Sequence, residues 1–114
     1  MKKSPKLYLL DIEQAISAIR GYVEGITKEQ FQNEKFLIQD GVIRKISIIG
    51  EAVKRLSPSM KDLEKHIPWK KIAGMRDIVV HDYSEIDLNA VWVVVQKRLP
   101  ELDAAVKRLL KSAE

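Results

Sequence analysis

Arg76, His81 and Tyr83 stand close together in the run Arg76-Asp77-Ile78-Val79-Val80-His81-Asp82-Tyr83. Arginine is a permanent cation whose planar fork of donors matches a phosphate. Histidine titrates near neutrality, so it can both take and give a proton. A phosphate clamp five residues from a proton carrier is equipment suited to cleaving a phosphodiester. Helical geometry restricts how the three could cooperate. Each residue turns a helix by about 100°, so a five-residue step turns roughly 140° and a seven-residue step returns to nearly the same face. On a straight helix Arg76 and Tyr83 align while His81 points elsewhere. The three converge only if the helix ends near His81, or if another copy of the chain supplies part of the site. Asp82, Ser84 and Glu85 suit a helix end there. The sequence leaves both routes open.

The elements that must carry these residues read as helices. Pro5 to about Val23 forms the first, with Leu9, Ile12, Ile16, Ile19 and Val23 recurring at three- and four-residue steps. Gly25 reads as its C-terminal cap. Thr27-Lys28-Glu29-Gln30 has capping-box spacing and opens a short helix through Phe31. A second long helix is expected from about Asn33 to Leu56, with Gly50 inside it marking a possible close approach of another backbone. Ser59 is expected to cap a short helix over Met60 to about Lys65. Pro68 suits a first helical turn, Gly74 a break, and the motif helix is expected to continue to about His81. Asp87 is the next N-cap candidate. The run Val91-Trp92-Val93-Val94-Val95 is β-branched, but with no strand to pair with it a helix is the better reading. Pro100 either kinks that helix or starts another. The expected architecture is all-α, a bundle of four or five helices in one domain over residues 1–114.

Composition narrows the function classes. The chain has 114 residues, 46% of them apolar, which is enough for one ordinary core. It has no cysteine, which excludes disulfides and thiolate metal sites and fits a cytoplasmic protein. Leu7-Tyr8-Leu9-Leu10 is interrupted by Asp11, too short an apolar run for secretion or a membrane span. The net charge of +4 favours a polyanionic partner only mildly. Lys54, Arg55, Lys61, Lys65, Lys70 and Lys71 could form a rim attractive to a phosphate backbone. Asp77 and His81 make an i,i+4 pair that could fix the imidazole tautomer. Without a second histidine at suitable spacing they make a poor metal site. No metal or other cofactor is expected. Trp69 and Trp92 read as core or interface anchors.

The same residues carry a family resemblance. Arg76-x4-His81-x-Tyr83 resembles the signature of the HEPN superfamily in its HepT-like ribonuclease toxin branch. The wider series agrees in order: Ile43-Arg44, Ile48-Ile49-Gly50-Glu51-Ala52, Ile67-Pro68-Trp69, Gly74-Met75-Arg76-Asp77, Asp87-Leu88, Val91-Trp92 and Leu99-Pro100. Lys45 departs from it, standing where these proteins often have asparagine. The resemblance implies a metal-independent endoribonuclease of a type VII toxin–antitoxin pair, homodimeric, with the motif helices meeting at the subunit interface. It also implies a nucleotidyltransferase antitoxin of MNT type that attaches AMP to the motif tyrosine. By position these roles fall on Arg76 and His81 for catalysis and on Tyr83 for modification and RNA positioning. Arg44, Glu51 and Asp77 become possible groove-lining residues. One motif histidine per chain would leave either the base or the acid of RNA cleavage missing, whereas a two-fold dimer supplies two. The alternative is a non-catalytic HEPN interaction module that binds a nucleotidyltransferase or nucleic acid. A purely structural helical dimerisation domain is a third reading.

Overall fold

Caps written in the sequence start half of the described helices. In the computed structural model, which describes residues 4–82 and 85–112, Ser4 opens α1 (Pro5–Val23) by accepting from the Leu7 N–H. Gly25 takes the left-handed conformation past its end, at φ 73°. Thr27 opens α2 (Lys28–Asn33) through a complete capping box. Its hydroxyl accepts from the Gln30 N–H at 3.1 Å, and the Gln30 side-chain oxygen accepts from the Thr27 N–H at 3.0 Å.

α3 (Phe36–Lys54) is shorter at both ends than the expected span. The chain breaks at Glu34 and Lys35, past the end of α2, and the carbonyls of its last turn find a side-chain donor. Buried Gln39 gives its amide N–H groups to Phe31 O at 2.7 Å and Gln32 O at 3.1 Å. The next cap falls two residues earlier than expected. Ser57, not Ser59, opens α4 (Pro58–Asp62) by accepting from the Met60 N–H, with Pro58 in the first turn where its missing N–H costs nothing. The loop that follows closes over Trp69, whose indole N–H donates to Lys61 O and Glu64 O at 3.0 and 3.1 Å. Trp69 is thus a core anchor, and Trp92 packs on Phe31 with ring centroids 5.4 Å apart.

Gly74 separates α5 (Trp69–Ala73) from α6 (Met75–Val79). The motif helix stops at Val79, two residues short of the expected end near His81. Ile78, Val79 and Val80 are β-branched in succession and favour extended backbone. Val80 adopts it, at φ −119° and ψ 101°. The chain then forms a two-stranded antiparallel ribbon, β1 (Val80–Asp82) against β2 (Glu85–Ile86), pairing Val80 with Ile86 and Asp82 with Glu85. The Asp87 N–H donates to Val79 O at 2.8 Å, which seals the helix end.

Asp87 caps α7 (Leu88–Val93) by accepting from the Ala90 N–H at 2.9 Å. The valine run is helical, as expected, with Val91, Val94 and Val95 buried against other helices and Val93 facing outward. A π-turn, Val94–Arg98, leads without a break into α8 (Leu99–Ser112). The Leu99 N–H reaches back to Val94 O. This wider turn comes just before Pro100, which cannot supply the next helical donor, so the helix continues through the proline.

The fold is all-α with one small ribbon. α1, α3 and α8 enclose a core that includes Leu9, Ile12, Ile16, Ile46, Ile49 and Leu102, all fully buried. Each such side chain contributes about 1.5–3 kcal/mol. Asp103 is buried at the α1–α8 seam, held at 2.9 Å by both Arg20 and Lys107. No described helix is long and apolar enough to cross a membrane.

One ion pair ties the loop after α4 to α8. The Arg108 guanidinium binds both carboxylate oxygens of Glu64, its Nε lying 3.0 and 3.2 Å from them. Those hydrogen bonds hold the Glu64 carboxyl below its ordinary value of 4.5, against the opposing effect of desolvation. A depressed carboxylate stabilises the fold above its unfolded pKa, and that contribution disappears as pH falls through the folded value. Wild type should therefore unfold at higher denaturant than Arg108→Ala at neutral pH, and the gap should close as pH drops below 4.5. Paired urea titrations across that range check it; a gap that does not depend on pH would contradict it.

Candidate functional site

The site is built where α3 meets the α5–α6 junction. A Cβ added to Gly50 would lie 2.9 Å from Ala73 O, closer than real side chains come to a backbone oxygen. Glycine at this position lets the two backbones touch. The contact brings Arg76, at the start of α6, beside the face of α3 that carries Ser47, Glu51 and Lys54. These residues, with Asp77, line a concavity of about 270 Å³.

The charges around it are loosely tied. Arg76 Nη1 lies 3.8 Å from Asp77 Oδ1, too long for a hydrogen bond, and its side chain is 49% exposed. Lys54 Nζ is 3.3 Å from Glu51 Oε1, with both groups open to solvent. Exposed pairs of this kind are held by about 1 kcal/mol or less. The Arg76 fork can therefore leave Asp77 for a phosphate at small cost.

Arg44 does not line this concavity. It faces a neighbouring trough of about 340 Å³ between α1 and α3, which shares Ser47 and Glu51 with the first. The structure thus gathers Arg76, Asp77 and Glu51 in one depression and puts Arg44 in the adjoining one. His81 lies in β1, beyond the end of α6, and its backbone is what the structure describes. Tyr83 lies outside the described residues. His66 is exposed, 3.7 Å from Glu64, away from these depressions. Among the described residues no group of three histidine, aspartate or glutamate side chains could hold a metal ion.

Ser47 and Tyr8 were not legible as site residues. Ser47 had a signal available, since it falls on the same face of α3 as Arg44 and Glu51 at three- and four-residue steps. Tyr8 had none, because only the packing of α1 on α3 brings it to the trough.

Comparison with known proteins gives a consistent result. The family pattern described as Ribonuclease HepT-like matches residues 12–109. The chain is 40% identical, over its whole length, to a protein of Methanocaldococcus jannaschii named as a gamma-glutamylcyclotransferase and candidate RNase, of which it spans 51%. It is 37% identical over 96% of both chains to a candidate RNase of Caldanaerobacter subterraneus subsp. tengcongensis. It is 39% identical over 97% of its length to a probable ribonuclease HepT of Thermococcus cleftensis, covering all of that protein. No solved structure matches.

The Gly50 contact makes a direct prediction. Gly50→Ala gains about 1 kcal/mol of helix propensity but forces the α3 and α5 backbones apart, a strain of about 1–3 kcal/mol. The variant should unfold about 1 kcal/mol more easily, and urea denaturation measures it. A variant about 1 kcal/mol more stable than wild type, the full propensity gain, would mean that the backbones are not in contact there.

Proposed function

We propose, from the premise that this chain belongs to the HepT-like ribonuclease family, that it is a cytoplasmic endoribonuclease toxin using Arg76 and His81 from two chains. The observation that carries this reading is the position of Arg76. It is an exposed, weakly tied guanidinium in a polar concavity, and the helix that bears it ends three residues later, just before the segment that carries His81. A helix end at Val79 removes the obstacle that a straight helix would raise to Arg76 and His81 acting together.

Cleavage of RNA without a metal ion proceeds by attack of a ribose 2′-oxygen on the adjacent phosphorus. The bond to the leaving 5′-oxygen breaks, giving a cyclic 2′,3′-phosphate and a free 5′-hydroxyl. A base must take the 2′ proton, an acid must protonate the 5′-oxygen, and a cation must hold the charged phosphorane. Arg76 serves as the cation, and the two His81 of a two-fold dimer serve as base and acid. Asp77 and Glu51 border the groove, Asp77 beside Arg76 and Glu51 beside Lys54.

Apolar surface beside the motif supports the dimer. Ile78 on α6 is 52% exposed and Val93 on α7 is 40% exposed. Both border an apolar groove of about 230 Å³ that also includes Ile72 and Met75. A second copy would cover this surface and bring the two motif segments together. Tyr83, two residues past His81, is the modification site in this reading. A partner nucleotidyltransferase joins AMP from ATP to the phenol oxygen, releasing pyrophosphate, and the added bulk and charge close the groove to RNA.

RNA digestion in EDTA tests the assignment. Wild type should keep its activity in chelator, while Arg76→Ala and His81→Ala should each lose about 10²–10⁴-fold. Cleavage by His81→Ala at the wild-type rate would overturn the reading, as would loss of wild-type activity in chelator.

A further inference from the structure

The trough between α1 and α3 has an uneven distribution of charge. Arg44 on α3 and Arg55 at its C-cap stand at the two ends, eleven residues apart on the same side, about 16 Å along the helix axis. Both are exposed, and neither forms an ion pair with a described residue. Between them lie the partly buried ring of Tyr8 and the side chain of Ile48, 36% exposed. The carboxylates, Asp11 and Glu51, also fall in this middle section, and Glu51 is engaged by Lys54.

That pattern suits one kind of ligand. An anionic backbone is drawn to the guanidinium ends and repelled by the carboxylates at the centre. A flat, uncharged group is accepted at the centre by an aromatic ring and an isoleucine. Single-stranded nucleic acid has both parts, and proteins bind it by pairing backbone cations with aromatic stacking platforms. The trough also shares Ser47 and Glu51 with the concavity that holds Arg76, so a strand could continue from one into the other.

We propose that this α1–α3 trough binds the single-stranded RNA flanking the scissile phosphate, with Tyr8 stacking on a base and Arg44 and Arg55 holding phosphates on either side. This rests on the ribonuclease reading for the identity of the strand. It assigns a binding role to α1, which carries none of the motif residues. Tyr8, Arg44 and Arg55 are positioning residues here and do not touch the reacting atoms.

The test separates binding from cleavage by using a short fluorescent RNA whose riboses are 2′-O-methylated, which removes the attacking hydroxyl. Anisotropy titrations of wild type over a range of salt give affinity and salt slope. Tyr8→Ala should weaken binding about tenfold, and Tyr8→Phe should stay within about twofold of wild type. Arg44→Ala and Arg55→Ala should each weaken binding and reduce the salt slope by about 0.7, the loss of one phosphate contact on a single strand. A series of RNAs with one base removed at each position adds a readout that a structural role would not move. One position should weaken wild type, and that penalty should vanish in Tyr8→Ala. Lys107→Ala, on the α1–α8 side of the molecule, should bind as wild type does.

Thermal denaturation of each variant accompanies the titrations. If Tyr8→Ala does not fold, Tyr8→Phe, the arginine variants and the abasic series on wild type carry the test. Wild-type affinity and salt slope in both arginine variants would overturn the trough, as would failure of wild type to bind RNA. RNA bound through these residues but never cleaved in its unmodified form would uphold the trough and defeat the ribonuclease reading instead.

Discussion

The approach of α3 to the α5–α6 junction at Gly50 is the constraint on which the rest of the site depends. With no Cβ between them, the α3 backbone and Ala73 O come into contact, and the helices lock at one depth and one rotation. Arg76 then stands beside Glu51 and Lys54 instead of a side chain's width away. The position is costly in isolation, because glycine inside a helix is worth about 1 kcal/mol less than alanine. Buried Ile46, Ile49 and Val53 on the same helix anchor it in the core and offset that cost.

A second constraint acts at the other end of α6. The β-branched run stops the helix, and the Asp87 N–H holds the Val79 carbonyl as the chain returns into α7. Arg76 therefore lies on regular helix and His81 on extended chain, so helical periodicity does not relate the two positions. Rigid packing on one side and a turn on the other suit a site that must grip a phosphate and also admit a strand.

Much of this was legible in the residues, wherever the signal was local. The caps at Thr27 and Asp87, the positive φ at Gly25 and the helical valine run all follow from side-chain chemistry or period. The close contact at Gly50 was visible as an option and needed the fold to become definite. Ser57 was passed over for Ser59 because both precede suitable helix starts, and Pro58 in the first turn decides between them. The ribbon was missed because three-residue and two-residue strands are too short for an alternation to register. The trough was legible only in part. Arg44, Ser47, Glu51 and Arg55 share a helical face, but Tyr8 reaches them only through tertiary packing.

The central claim is that each chain carries half an active site, with two His81 serving one groove. Heterodimers of wild type with His81→Ala, purified through a different tag on each chain, test this most directly. If both histidines serve one groove, the heterodimer should cleave RNA at below about a tenth of the wild-type rate, since one of the two proton transfers is lost in every molecule. Activity at about half that of wild type would mean that each chain has a complete site of its own, and would contradict the shared one.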